Sequence, residues 1–242
     1  SRVFDNQRIP SRDTFLKSMS EKVYGKHMTK CLKQRLLDHQ LPSGRTIVVT
    51  SFSFKAKLCS ILMNEELMQE KNLLLNADNP FKPPEENMML EDLNSGWWCR
   101  ETWHEVCKHP DEILCPIIFF IDGGKVTKRL SVEPLTFTLG LKKREVRNSV
   151  SAWRTLGYME DLFNCEDPEE NGGTLNGSKV QSSVKVNDYH SILHALLSEF
   201  KTLQGVDSGL EWNLDIGGKT HRVIFKFAVQ VILGDCKGNN VL

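Results

Sequence analysis

The chain lacks any apolar run of the ~20 residues that a membrane helix requires, and its N-terminus has no apolar core of a secretion signal. It also lacks a disulfide framework: its seven cysteines, Cys31, Cys59, Cys99, Cys107, Cys115, Cys165 and Cys236, are odd in number and scattered, a pattern of reduced thiols. An intracellular location is the expectation. A separated Cys/His finger is missing too, so no standard base-reading module stands out. The chain begins at Ser1 rather than Met and stops at Leu242, which reads as a fragment of something longer.

A net charge is absent only by cancellation. Ser1 to Arg45 carries ten basic residues against four acidic ones, whereas Asn64 to Glu112 carries twelve acidic against four basic. Lys17, Lys22, Lys26, Lys30 and Lys33 recur near helical spacing and suit either a phosphate backbone or a solvated helix face. The 242 residues, 40% apolar and 26% charged, suffice for one large or two small domains.

What is present is concentrated in two apolar runs. Leu114 to Asp122 (L-C-P-I-I-F-F-I-D) is too short for a membrane helix and rich in Ile and Phe, the pattern of a buried central strand. It ends at Asp122, followed by Gly123 and Gly124. Phe225 to Asp235 (F-K-F-A-V-Q-V-I-L-G-D) ends the same way. Carboxylates on rigid strand ends suit metal-dependent phosphoryl transfer, and Asp beside Gly is also ordinary turn chemistry.

Around these runs the pattern predicts a helix over Ser11–His39, stopped by Leu41-Pro42-Ser43-Gly44, a strand over Thr46–Phe54 and a helix over Lys57–Gln69. Asn79 to about Asp92 reads as a Pro-rich acidic linker. Asn94–Pro110 holds Trp97, Trp98 and Trp103 among Cys99, His104, Cys107 and His109. That C-x4-H-x2-C-x-H spacing is cramped for zinc, and packing of the tryptophans on a sheet is the competing reading. Leu130–Leu141 should pair antiparallel with the first apolar run, and Ser151–Tyr158 suits a third strand or an edge. Cys165–Gln181 reads as an exposed loop, and Asn187 or Asp188 as the cap of the next helix. Gly217-Gly218 marks a hairpin between Leu210–Ile216 and His221–Phe227. The expected divisions are a basic helical segment over 1–45, a small strand-helix region with its linker over 46–92, and a core over 93–242.

The segments L-P-S-G-R-T-I-V-V-T-S-F-S-F, N-P-F-K-P-P, D-L-N-S-G-W-W, L-C-P-I-I-F-F-I-D-G, L-S-V-E-P-L-T-F-T-L-G, A-W-R-T-L-G-Y and F-K-F-A-V-Q-V-I-L-G-D, in that order, resemble Plavaka-type transposases of the CACTA-like group, from about Leu41 to the end. The resemblance implies an α/β, ribonuclease H-like mixed sheet with flanking helices, preceded by a mainly helical N-terminal region. It also implies a DDE-type nuclease and strand transferase that uses Mg²⁺ or Mn²⁺ to cut transposon ends and join them to target DNA. Asp122 matches the first acid and Asp235 the second, both as catalytic metal ligands; the third would follow Leu242. Gly124 stands where the family pattern has Thr or Ser.

Lys142, Lys143, Arg144, Arg147 and Arg154 are the candidate phosphate contacts. The resemblance further implies a nuclear location and allows a homodimer. A catalytically inactive DNA-binding or host-adopted relic is the alternative, and an unrelated metal-free binding module would place Asp122 and Asp235 far apart. If the basic N-terminal segment supplies general DNA affinity, binding measured by fluorescence anisotropy should fall steeply with added salt; salt-independent binding would remove that role.

Overall fold

The computed structural model describes residues 33–85, 92–125, 131–160, 162 and 177–234. Five helices and eight strands are named here. They are β1 (Arg35–Gln40), β2 (Thr46–Ser51), α1 (Phe54–Leu62), α2 (Trp97–Val106), β3 (Glu112–Ile121), β4 (Gly124–Lys125), β5 (Ser131–Leu139), α3 (Arg144–Arg147), β6 (Arg154–Glu160), α4 (Gly177–Leu196), α5 (Ser198–Lys201), β7 (Leu210–Ile216) and β8 (Lys219–Gly234). The chain is thus mixed α/β, with one sheet in the order β1-β2-β6-β5-β3-β8-β7 and β4 paired to β5.

β3 lies in the middle of this sheet because its side chains leave it no solvent face: every residue from Ile113 to Phe119 is buried. An apolar strand of this kind needs cover on both sides. It pairs antiparallel with β5, Ile117 facing Leu139 and Ile121 facing Leu135, and parallel with β8, from Glu112 facing Ile224 to Ile121 facing Gly234. A register shift after Ile117 lets Gln230 bulge out of the β8 ladder, and such an extra residue adds local bend. The other pairings on the path are antiparallel.

On one face, rings from four elements interlock. Phe54 of α1 lies 4.6 Å from Phe137 of β5 and 4.9 Å from Phe200 of α5, and Phe200 meets Phe119 of β3 edge-on at 5.5 Å. These are favourable tilted and T-shaped contacts. Ser53 caps α1 by accepting from the Ala56 amide at 3.1 Å, and its hydroxyl donates to Glu199 Oε1 at 2.9 Å, tying the start of α1 to α5. α4 crosses β6 at Gly157, where a Cβ would stand 2.6 Å from Leu196 Cδ2 and 2.8 Å from the Thr50 carbonyl oxygen. Only a residue without a side chain permits that approach. On the opposite face α2 packs Cys99 and Cys107 against Leu114, with Trp98, Trp103 and Ala228 at the margin.

Several sequence expectations are corrected. Residues 35–39, placed in a helix, belong to β1, because Pro42-Ser43-Gly44 turns the chain back into a hairpin with β2 rather than ending a helix. The remainder of that helix expectation, through residue 32, lies outside the described residues. α4 begins at Gly177, ten residues before the expected cap, so residues 177–181 are helical rather than loop. β6 is flanked by β5 and β2 and is no edge. His221–Phe227 and Phe225–Gly234 are one strand. The 92/93 division does not separate two cores: a single buried cluster runs from Leu41 and Phe54 to Phe225 and Phe227. The Pro-rich stretch is irregular yet seated, since Trp103 Nε1 donates to the Phe81 carbonyl oxygen at 2.9 Å. No helix among the described residues is long and apolar enough to cross a membrane.

The base of the β3–β8 contact is closed by a buried ion pair. Lys226 Nζ lies 3.0 Å from Glu112 Oε1, and both side chains are buried. Lys226 also donates to the carbonyl oxygens of Val206 and Ser208, and Glu112 Oε2 accepts from the amides of Lys108 and His109. Burial alone would raise the Glu112 pKa. The His109 amide, the Lys226 ammonium and the Lys108 amide outweigh it and hold the carboxyl below its usual range. A carboxylate depressed in the folded state contributes stability above its ordinary pKa and loses it as pH falls through the folded value. Glu112→Gln should therefore cost about 3–5 kcal/mol at neutral pH in denaturant unfolding, with the deficit shrinking in acid. A loss below about 1 kcal/mol would show that the pair does not hold the base of the sheet.

Candidate functional site

The parallel register of β3 and β8 sets the candidate site. Asp122 is exposed immediately beyond Ile121, which is buried and faces Gly234. The chain turns there through Gly123 into the short β4, which pairs Gly124 with Val132 and Lys125 with Ser131. Asp235 follows Gly234 in the chain and lies outside the described residues. Among the described residues no three His, Cys, Asp or Glu side chains gather as a metal-binding group, so Asp122 alone does not make a divalent-ion site.

The Cys99, His104, Cys107 and His109 set packs rather than ligates. Cys99 and Cys107 sit in the apolar cluster beneath α2, while His104 and His109 are exposed. Burial is the main cause that pushes the Cys99 thiol up to about 11 and the Cys107 thiol to about 12.

The basic patch divides in two. Lys143 and Arg144 are exposed and suit phosphate; Lys143 also lines an open cleft of about 590 Å³ with Lys71, Asp92 and Asn94. Lys142, Arg147 and Arg154 are buried, which corrects the expectation that they face DNA. Arg147 Nη2 pairs with Asp92 Oδ1 at 2.6 Å, and Nη1 donates to the carbonyl oxygens of Gly140 and Lys142. Arg154 Nε donates to Ser60 Oγ at 2.8 Å, and its Nη1 to the carbonyl oxygens of Ser151 and Trp153. A phosphate cannot reach guanidinium groups already engaged inside the fold. Trp153 is likewise held, donating from Nε1 to the Arg147 carbonyl oxygen at 2.7 Å and meeting Phe120 edge-on.

Sequence reading missed one polar contact of catalytic type, His39 Nε2 to Ser191 Oγ at 2.7 Å. No short spacing signals it, since the two residues lie 152 positions apart. Asp188 on the same helix accepts from the Ser43 amide at 3.0 Å. Ser191 lies within α4, where successive amides are committed to the helix and offer no oxyanion donors. The contact ties the β1–β2 hairpin to α4.

A scan against protein-family models and a comparison with curated proteins both give no match to this chain.

The division of the basic patch yields a double contrast. Arg147→Gln should cost about 2–4 kcal/mol of stability by stranding Asp92. Lys143→Glu with Arg144→Glu should leave the unfolding midpoint nearly unchanged and, if the chain binds DNA, should flatten the slope of log affinity against log salt by one to two units. Equal stability losses in the two variants would contradict the division.

Proposed function

We propose that the chain is a transposase-derived protein with a ribonuclease H-like sheet, and that its intact parent cuts and joins DNA by metal-dependent phosphoryl transfer. The observation that carries this reading is the register of the parallel pair: Ile121 and Gly234, which immediately precede Asp122 and Asp235, face one another across β3 and β8. Further support comes from the sheet path. β5 pairs antiparallel with β6 on one side and with β3 on the other, α4 follows β6 in the chain, and β8 returns parallel to β3. That is the order of the ribonuclease H-like fold through its fourth strand, with β7 added at the edge beside β8.

In this reading Asp122 and Asp235 are ligands for Mg²⁺ or Mn²⁺, and a third acid completes the set. The ions supply charge stabilisation at the attacking and leaving oxygens when bound. What this chain contributes is position: β3 is fixed on both edges, so Asp122 is presented on a rigid strand end rather than on a wandering loop. Transposon-end DNA is the proposed partner, with Lys143 and Arg144 as the exposed phosphate contacts, and the nucleus is the proposed location. A second reading, a catalytically inactive DNA-binding relic, is favoured by Gly124 at the Thr or Ser position and by the burial of three of the five basic candidates.

Mn²⁺ titration followed by NMR tests the assignment without requiring turnover. Paramagnetic broadening should concentrate on the amides of Ile121, Asp122 and Gly234, and Asp122→Asn should abolish it. Uniform or absent broadening would remove the metal site. In the intact protein, Asp122→Asn should also eliminate Mg²⁺-dependent cleavage, and undiminished cutting would sink the enzymatic reading. DNA binding that persists without the broadening would select the relic.

A further inference from the structure

The sheet is covered unevenly. On the face away from α1 and α5, α2 seats Cys99 and Cys107 against Leu114, over the first half of β3. Over the second half the same face carries large side chains that reach solvent: Phe120 of β3 is 36% exposed, Tyr158 of β6 41% and Leu233 of β8 43%. The register puts them together. Phe120 faces Thr136 on one side and Leu233 on the other, and Tyr158 faces Pro134, which lies two residues from Thr136 on β5. Alternate strand residues share a face. The residues between them point the other way and are enclosed: Phe119 and Leu135 are 1% exposed, and Gly157 lies against Leu196.

Single exposed apolar residues are ordinary, whereas a contiguous group marks a contact surface. This group borders Asp122. Phe120 precedes it by two residues, about 7 Å along a strand, and Tyr158 lies two strands over from the end of β3, about 10 Å away. The Phe120 ring meets Trp153 edge-on with 6.2 Å between centroids, and the indole is fixed in turn by donating to the Arg147 carbonyl oxygen at 2.7 Å. A ring already held in place gives up little rotamer freedom when something binds to it.

We propose that Tyr158 and Phe120 form a stacking platform for unpaired DNA bases beside the phosphate brought to Asp122. The platform rests on the reading of Asp122 as a metal ligand given above: a strand whose phosphate is held at that rim carries its flanking nucleotides across this surface. Every base has an apolar π-face whatever the sequence, and aromatic rings exposed on a sheet are the surface on which successive unpaired bases stack. Leu233 extends the apolar floor on the β8 side of Phe120. A base must leave the duplex before it can stack on a side chain, so the platform favours a single strand or a frayed end over paired DNA. Tyr158 and Phe120 act here by positioning, and no bond is made or broken on either ring.

Fluorescence anisotropy of a labelled oligothymidylate with the whole chain, recorded in EDTA, reads stacking apart from metal. Tyr158→Ala should weaken single-strand binding about fivefold or more, while Tyr158→Phe, which keeps the ring, should stay within about twofold. Affinity for a blunt duplex should change by less than about twofold in either variant. A strand carrying 5-iododeoxyuridine should photocrosslink to the peptides that contain Tyr158 or Phe120, a result that a merely structural role would not give. Absent single-strand binding, equal losses for strand and duplex, a Tyr158→Phe variant as weak as Tyr158→Ala, or crosslinks confined to other peptides would each overturn the platform. Tighter binding of the ribo-oligomer would move the surface to RNA and overturn the DNA assignment. Should Tyr158→Ala fail to fold, the crosslink in the unaltered protein decides. The Mn²⁺ test fails separately: stacking without broadening keeps the platform and removes the metal site, and broadening without stacking does the reverse.

Discussion

The parallel contact between β3 and β8 is the constraint on which the rest of the sheet depends. Parallel neighbours cannot be joined by a tight turn, so the chain between them must leave the sheet and come back. It does so through β5, β6 and α4, and this excursion builds most of the fold. Because the two strands run the same way, their last residues are delivered to one rim, and their first residues to the other. At the starting rim the demand is structural and is met by Glu112 and Lys226, whose remaining hydrogen-bonding capacity is taken up by the neighbouring loop backbones. At the finishing rim lies Asp122. The sheet thus separates a polar pair that is satisfied from a carboxylate that is offered to solvent.

How legible this was depended on whether a residue's surroundings are local. β3 could be read directly, because the run from Leu114 to Ile121 carries no charge, has no helical period and is too short for a buried helix, which leaves a strand covered on both faces. The β7–β8 hairpin was equally plain, since Gly217 and Gly218 take positive φ values of 58° and 73°, the primed-turn geometry that glycine favours. β1 was not legible. Most of its residues are exposed, so no alternation exists to mark it, and its Leu36 continued the helical spacing of Met28 and Leu32 before it. The early turns of α4 were hidden because they are polar.

The basic residues exposed a different limit. Lys142, Arg147 and Arg154 look like surface charges because charge normally means water. Here three long side chains are enclosed beside residues distant in sequence: Arg154 by Ser60, Arg147 by Asp92 and Lys142 by Cys115. The only sequence hint was position, since Lys142 directly follows the apolar stretch Leu139-Gly140-Leu141. The candidate carboxylates were found for the opposite reason, as each closes an apolar run that announces its own strand.

The β1–β2 hairpin joins the sheet through two residue pairs, Thr50 with Tyr158 and Ser51 with Gly157. Two cross-links to α4, His39 with Ser191 and Ser43 with Asp188, brace it from behind. Nearly all its backbone hydrogen bonding is internal, while Leu41, Ile47 and Val49 are seated in the common core, so the hairpin is held to the body by burial more than by the ladder. α1 leaves directly from the end of β2, so the hairpin and the helix occupy one continuous stretch of chain. A truncation of Ile47 or Val49 would therefore loosen the whole hairpin and the start of α1 together, while β3 and Asp122 stand three strands away.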